Sequence, residues 1–136
     1  MGGLAALLLA WILTLVPATL QAGHGREEIN YIGPDRVKGL LEGGEKILFV
    51  DIRPAKEYQE KRVAGARSIP IAEMGKRLSE IPKAGRVIIY CNCKPGGEDG
   101  DAFFLLRDNG YRNVAVMEEG ISGWLKRKFP IETGRR

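Results

Sequence analysis

The sequence predicts a single α/β domain, with a parallel sheet flanked by helices on both faces. Three observations predict it. The runs Ile47–Val50, Arg86–Tyr90 and Val114–Met117 are short, mostly apolar and β-branched, as strands buried on both faces are. Amphipathic helical patterns alternate with them, which argues for parallel pairing under crossover helices. The chain has 136 residues, enough for one domain with an ordinary core.

The elements follow in order. A polar joint at 23–28 leads into Ile29-Asn30-Tyr31-Ile32. Gly33-Pro34-Asp35 opens a helix, with Val37, Leu40 and Leu41 on one face and Gly43-Gly44 as its stop. The strand Ile47–Val50 ends in Asp51, and Pro54–Lys61 is expected to be helical. Val63–Pro70 is a glycine-containing turn with a brief strand, and Gly65 marks a backbone position that a side chain would obstruct. Met74–Ile81 forms a short helix before Pro82. Arg86–Tyr90 then runs into Cys91 and a polar, glycine-rich loop, Asn92–Gly100. Ala102, Phe103, Leu105 and Leu106 mark a helix that stops at Asn109-Gly110. After Val114–Met117 comes a last helix, Ile121–Lys128, with Trp124 packed on the sheet and a basic solvated end at Lys126, Arg127 and Lys128.

The first residues differ in character. Leu4–Val16 carries no charge, Pro17 breaks the run, and Ala18, Thr19, Ala22 and Gly23 follow. That is the pattern of a secretory signal and cleavage site, short of the roughly 20 apolar residues of a spanning helix. Residues 1–22 are expected to be a signal peptide or, if uncleaved, a membrane anchor, and residues 29–134 the domain. The expected location is periplasmic or otherwise extracytoplasmic. Membrane contact is expected only through an uncleaved segment. The net charge of +4, from 21 basic and 17 acidic residues, is scattered along the chain. It makes no nucleic-acid footprint, which needs basic side chains gathered on one face.

Cys91 and Cys93 are the two cysteines. A C-x-C pair cannot staple distant elements, and closing it makes a tight ring, so these thiols read as chemistry. With His24 they still fall short of the four ligands of a structural zinc, and no metal is expected. Ligands of parallel sheets sit at the carboxyl ends of the strands, so Asp51 and Cys91 should share one mouth. There Cys91 is the candidate nucleophile. Backbone amides of the loop (Asn92, Lys94, and the permissive Gly96, Gly97 and Gly100) and the helix start beyond it favour a thiolate or an anionic persulfide.

The segment IYCNC, its glycine-rich loop, the helix after it and NGYRNV resemble the active-site region of rhodanese-like domains. Upstream, FVDIRPAKEYQEKRVAGARSIP resembles that family's characteristic stretches through Asp51, Arg53, Glu57, Tyr58, Gly65, Ala66, Ile69 and Pro70. Gly110-Tyr111, Gly120, Trp124 and Pro130 match its closing pattern, so the resemblance runs from Ile29 to Gly134. It implies a sulfurtransferase that carries sulfane sulfur as a persulfide on Cys91, without metal or organic cofactor. The partners implied are small sulfur donors and acceptors, or a partner protein thiol. The sequence departs from the family in a longer, C-x-C loop, NCKPGGEDGD, whose one cation, Lys94, faces Glu98, Asp99 and Asp101. A dianion such as thiosulfate would be poorly compensated there, and those acids suit the first turn of the following helix. Arg62 stands where the family often has His, and it or Arg67 is expected to supply charge at the rim. Asp51 and Arg53 are expected to pair and hold the turn after the strand. Cys93 has three readings: a resolving thiol, a second sulfur acceptor, or an inert loop residue. Two other functions compete: a thiol–disulfide or arsenate-type reductase using both cysteines, and a non-catalytic binding module that would tolerate Cys91→Ser.

Overall fold

A computed structural model describes residues 28–135. The expected signal segment 1–22, most of the joint at 23–28 and His24 lie outside the described residues. Five parallel strands make the main sheet: β1 (Tyr31–Ile32), β2 (Ile47–Asp51), β4 (Arg67–Ser68), β5 (Arg86–Tyr90) and β6 (Val114–Met117). Their spatial order is β1-β6-β5-β2-β4, so β5 is central and delivers its end into the middle of the sheet. Helices α1 (Pro34–Glu42), α2 (Ala55–Glu60), α3 (Ile71–Met74), α4 (Glu98–Asp108) and α5 (Gly120–Lys126) complete the domain. Among the described residues no helix is long and apolar enough to cross a membrane.

The two-residue period of the strands divides the core. Val87, Ile89 and Cys91 pack on one face with Met74, Phe103 and Leu106, while Ile88 and Tyr90 pack on the other with Val37, Tyr58 and Trp124. Burying each large apolar side chain contributes about 1.5–3 kcal/mol, so both layers hold β5 in place. This alternation puts Cys91 on the α4 face and Tyr90 on the opposite one.

Several boundaries differ from expectation. α4 begins at Glu98, so Gly100 is helical and the loop proper is 92–97. The helix expected at 74–81 starts earlier as α3, and a single 3-10 turn follows at Leu78–Glu80. A second, antiparallel pair, β3 (Lys61–Val63) with β7 (Ile131–Thr133), was unforeseen. Gly65 has open space where a Cβ would stand; its φ of +80° is what favours glycine there.

Candidate functional site

The site is built where β5 ends. Asp51 and Tyr90 are register partners on β2 and β5, and Cys91 is the next residue. Asp51 is fully buried. Its carboxylate accepts the Arg53 Nε–H at 3.0 Å, the Arg53 Nη2–H at 2.6 Å, the Arg53 backbone N–H at 3.0 Å and the Tyr90 hydroxyl at 2.8 Å. Arg53 also donates to the Lys61 carbonyl at 2.7 Å. Burial pulls the Arg53 guanidinium down, but hydrogen bonding and the charge of Asp51 outweigh it and leave it above its ordinary value. Asp51 and Arg53 therefore form the ion pair that holds the turn.

Beyond the strand, α5 closes on the cysteine from behind. Glu119 and Gly120 both have left-handed backbone, with φ of 62° and 55°, and the turn lets the Ile121 N–H donate to the Cys91 carbonyl at 2.9 Å. A Cβ on Gly120 would overlap that carbonyl oxygen. The loop is fastened at two further points. Ser122 Oγ donates to Asn92 Oδ1 at 2.6 Å, and the Gly96 N–H donates to the Tyr31 hydroxyl at 2.9 Å. Burial raises the Tyr31 phenol above its ordinary value and the carboxylates of Asp99 and Glu118 push the same way, so it stays protonated at neutral pH.

Cys91 and Cys93 are joined as a disulfide, their Cα atoms 5.5 Å apart. The Cys93 N–H donates to Cys91 Sγ at 3.1 Å. Three of the amides expected to face the sulfur donate elsewhere. Gly96 donates to Tyr31, Gly97 to the Lys94 carbonyl and Gly100 to Asp99 Oδ1, because the loop turns on itself before α4 starts. Lys94 is exposed.

Two pockets meet at the cysteine pair. One, of about 330 Å³, has Tyr31, Pro95 and Met117 as apolar wall and Asp99, Glu118 and Glu119 as carboxylates. The other, of about 400 Å³, adds Arg53, Glu57, Asn92 and Glu98. Arg62 lines neither: its guanidinium is buried and donates to the carbonyls of Tyr58 and Gly134. Arg67 donates to the Glu80 carbonyl and is likewise away from both linings. The rim charge expected of these two arginines is thus corrected; both tie down backbone instead.

Tyr31 is a member of the site that sequence reasoning missed; Asp99 was expected there as a charge at the mouth, and the structure adds that it is buried. A carboxylate oxygen of Asp99 and the two Sγ atoms lie within 4.8 Å of one another. This trio is one donor short of a closed structural zinc shell, and sulfurs joined as a disulfide are not thiolate ligands. Asp99 was expected as a helix cap, and with Glu98 and Asp101 it does occupy the first turn of α4.

A family model described as the rhodanese-like domain matches residues 33–127. A sulfurtransferase of Allochromatium vinosum is 32% identical over 103 residues, covering 76% of this chain and 94% of that protein. An HTH-type transcriptional regulator of Mycobacterium tuberculosis is 36% identical over 93 residues, but the chain spans only 40% of it. Among solved structures, the Alr3790 protein from Anabaena superposes with a TM-score of 0.70 at 25% identity, covering 76% of this chain and 80% of that one. The matched stretch includes the strand end, both cysteines, α4 and α5, and it shows that the chain belongs to the rhodanese-like domain family.

Proposed function

We propose that this protein is a sulfurtransferase that carries sulfane sulfur as a persulfide on Cys91 and passes it to a thiol or other nucleophile. Family membership and a relative named sulfurtransferase support sulfur transfer in general. The observation that carries the finer reading is the position of Cys91. It directly follows the central strand, receives the Cys93 N–H at its sulfur and lines both pockets, so a donor and an acceptor have separate approaches. A thiolate held there attacks a sulfane sulfur, and the second nucleophile then takes that sulfur away. The partners are small sulfur donors and acceptors or a protein thiol. Intact mass of the reduced protein after incubation with sulfane donors tests this. A gain of about 32 Da on the Cys91 peptide, removed by reductant, supports carriage, and an unchanged mass refutes it.

The disulfide favours a second reading, in which Cys93 resolves the persulfide and the pair works as a thiol–disulfide couple. Loss of sulfide from loaded wild type, but not from Cys93→Ser, would establish it.

We also propose export, with the mature chain starting near Thr19 or Gly23, on the apolar run Leu4–Val16 and the small residues after Pro17. N-terminal sequencing of protein from its native host tests this; a chain that begins at Met1 in the membrane fraction would instead make the segment an anchor.

A further inference from the structure

Asp99 is more buried than helix capping requires. Glu98 and Asp101 meet the positive end of α4 while remaining exposed, yet Asp99 is only 5% exposed. Burying an ionised carboxylate is unfavourable unless the surroundings compensate it. Its hydrogen-bond donors are the Gly100 N–H, at 2.7 Å to Oδ1, and the Tyr31 hydroxyl, at 3.4 Å to Oδ2. The carboxylate also lies within 4.8 Å of both sulfurs, the span of one bridging water. A buried carboxylate held against the sulfurs of two cysteines, which lose and regain protons as their disulfide forms and opens, has a chemical use.

We infer that Asp99 is the proton carrier of the Cys91–Cys93 pair, which rests on Cys91 as sulfur carrier and Cys93 as its resolving thiol. Asp99 takes the proton of the Cys93 thiol. The Cys93 thiolate then attacks Cys91 Sγ, the Cys91–Cys93 bond forms, and the bond from Cys91 Sγ to the terminal sulfur breaks. The proton passes from Asp99 to the departing sulfur, which leaves as hydrosulfide. An ionised persulfide and a thiol thus give a disulfide and hydrosulfide, with the Cys93 sulfur oxidised, the terminal sulfur reduced and the Cys91 sulfur unchanged. An external dithiol resets the pair, its two sulfurs becoming a disulfide while Cys91 and Cys93 return to thiols; Asp99 takes a proton from the attacking thiol and passes it to the first thiolate released. Tyr31 is a positioning residue: it holds Asp99 through its hydroxyl and the loop through the Gly96 N–H. The other titratable groups on this pocket are Tyr31 from β1 and Glu118 and Glu119 from the turn before α5; Glu98 and Asp101 share α4 with Asp99, and Arg53, Glu57 and Glu98 face the adjoining pocket.

The test uses the full chain, reduced, loaded with inorganic polysulfide and followed for hydrosulfide release in a single turnover. Compared from the same loaded state, a gain of about 32 Da, Asp99→Asn should release about 10²-fold more slowly than wild type near about pH 6. The defect should shrink to a few-fold near about pH 9, where solvent removes the thiol proton unaided. Asp99→Glu should recover most of the rate, and Tyr31→Phe should lose roughly tenfold at most. Wild-type release by Asp99→Asn at both pH values, or an equal loss at both, would overturn the proposal, since a merely structural role gives a pH-independent defect. If wild type takes up no sulfur, carriage fails by itself; Asp99 is then read from reduction of the disulfide by dithiothreitol, where the same pH contrast decides.

Discussion

The Tyr90 hydroxyl donates to Asp51 Oδ2 across adjacent strands at 2.8 Å, one residue before Cys91, and also receives the Val63 N–H at 3.1 Å. Asp51 is thereby the buried joint between β2, β3 and the strand that bears the cysteine.

Asp51→Ala removes the one carboxylate that Arg53 and Tyr90 share and leaves a guanidinium buried without its counter-charge. The expected loss is about 3–5 kcal/mol, read from urea midpoints. Replacing both members of the pair, as Asp51→Leu with Arg53→Met, should restore much of it, because the unpaired buried charge is gone. A double variant no more stable than Asp51→Ala would assign the cost to lost hydrogen bonding instead.

Tyr90 gives a pH dependence with a definite sign. Burial raises its phenol far above the ordinary value, and the neighbouring Asp51 charge raises it further. The unfolded chain ionises Tyr90 near pH ~10 while the folded chain keeps the proton. Stability is therefore fully present below about pH 10 and declines above it, by about 1.4 kcal/mol per pH unit for this group. Tyr90→Phe should be less stable at neutral pH yet lose less between about pH 10 and 12. Parallel stability curves for the two proteins across that range would contradict this.

Gly120 is the second joint. An alanine there meets the Cys91 carbonyl oxygen head-on and must also hold a φ of +55°. The left-handed backbone alone costs roughly 1–2 kcal/mol, and the overlap can be relieved only by moving α5. Gly120→Ala should cost more than about 2 kcal/mol and raise the alkylation rate of reduced Cys91. An unchanged unfolding midpoint would show that α5 is free to shift.

The parts of this fold carried by local pattern were legible. β6 falls on Val114–Met117 as expected, and β2 and β5 follow their apolar runs, because strands buried on both faces need continuous apolar sequence. The pairing of β3 with β7 was not legible, since Lys61–Val63 and Ile131–Thr133 are each three residues long and meet only in the folded chain. The start of α4 was read too late because Glu98-Asp99-Gly100-Asp101 has no apolar periodicity; its acids favour a helix start electrostatically. Arg62 and Arg67 were placed by analogy and charge, and nothing in their neighbours could show that distant carbonyls hold both. Tyr31 lies 65 residues from the loop amide that it receives, so no local signal could join them.

The mouth around the cysteines carries Asp99, Glu118 and Glu119 on one side and Glu57 and Glu98 on the other. Among the described residues its one lining cation, Arg53, is already paired with Asp51. Breaking the S–S bond of thiosulfate builds charge on the departing sulfite, which needs cations or free N–H groups aimed at it. Here the loop amides of Gly96 and Gly97 are turned to other acceptors. Thiosulfate should therefore be a poor donor and an organic hydropersulfide, which carries less charge, a better one. Each carboxylate set against a dianion at about 8 Å costs about 1 kcal/mol in a water-like medium, less after salt screening. Glu98→Gln combined with Glu118→Gln should then raise the thiosulfate rate roughly tenfold, and the hydropersulfide rate about threefold at most. Steady-state kinetics with both donors at low salt measure the difference, which added salt should narrow. A wild type that already prefers thiosulfate by a wide margin, or equal gains with both donors, would show that these acids do not set donor choice.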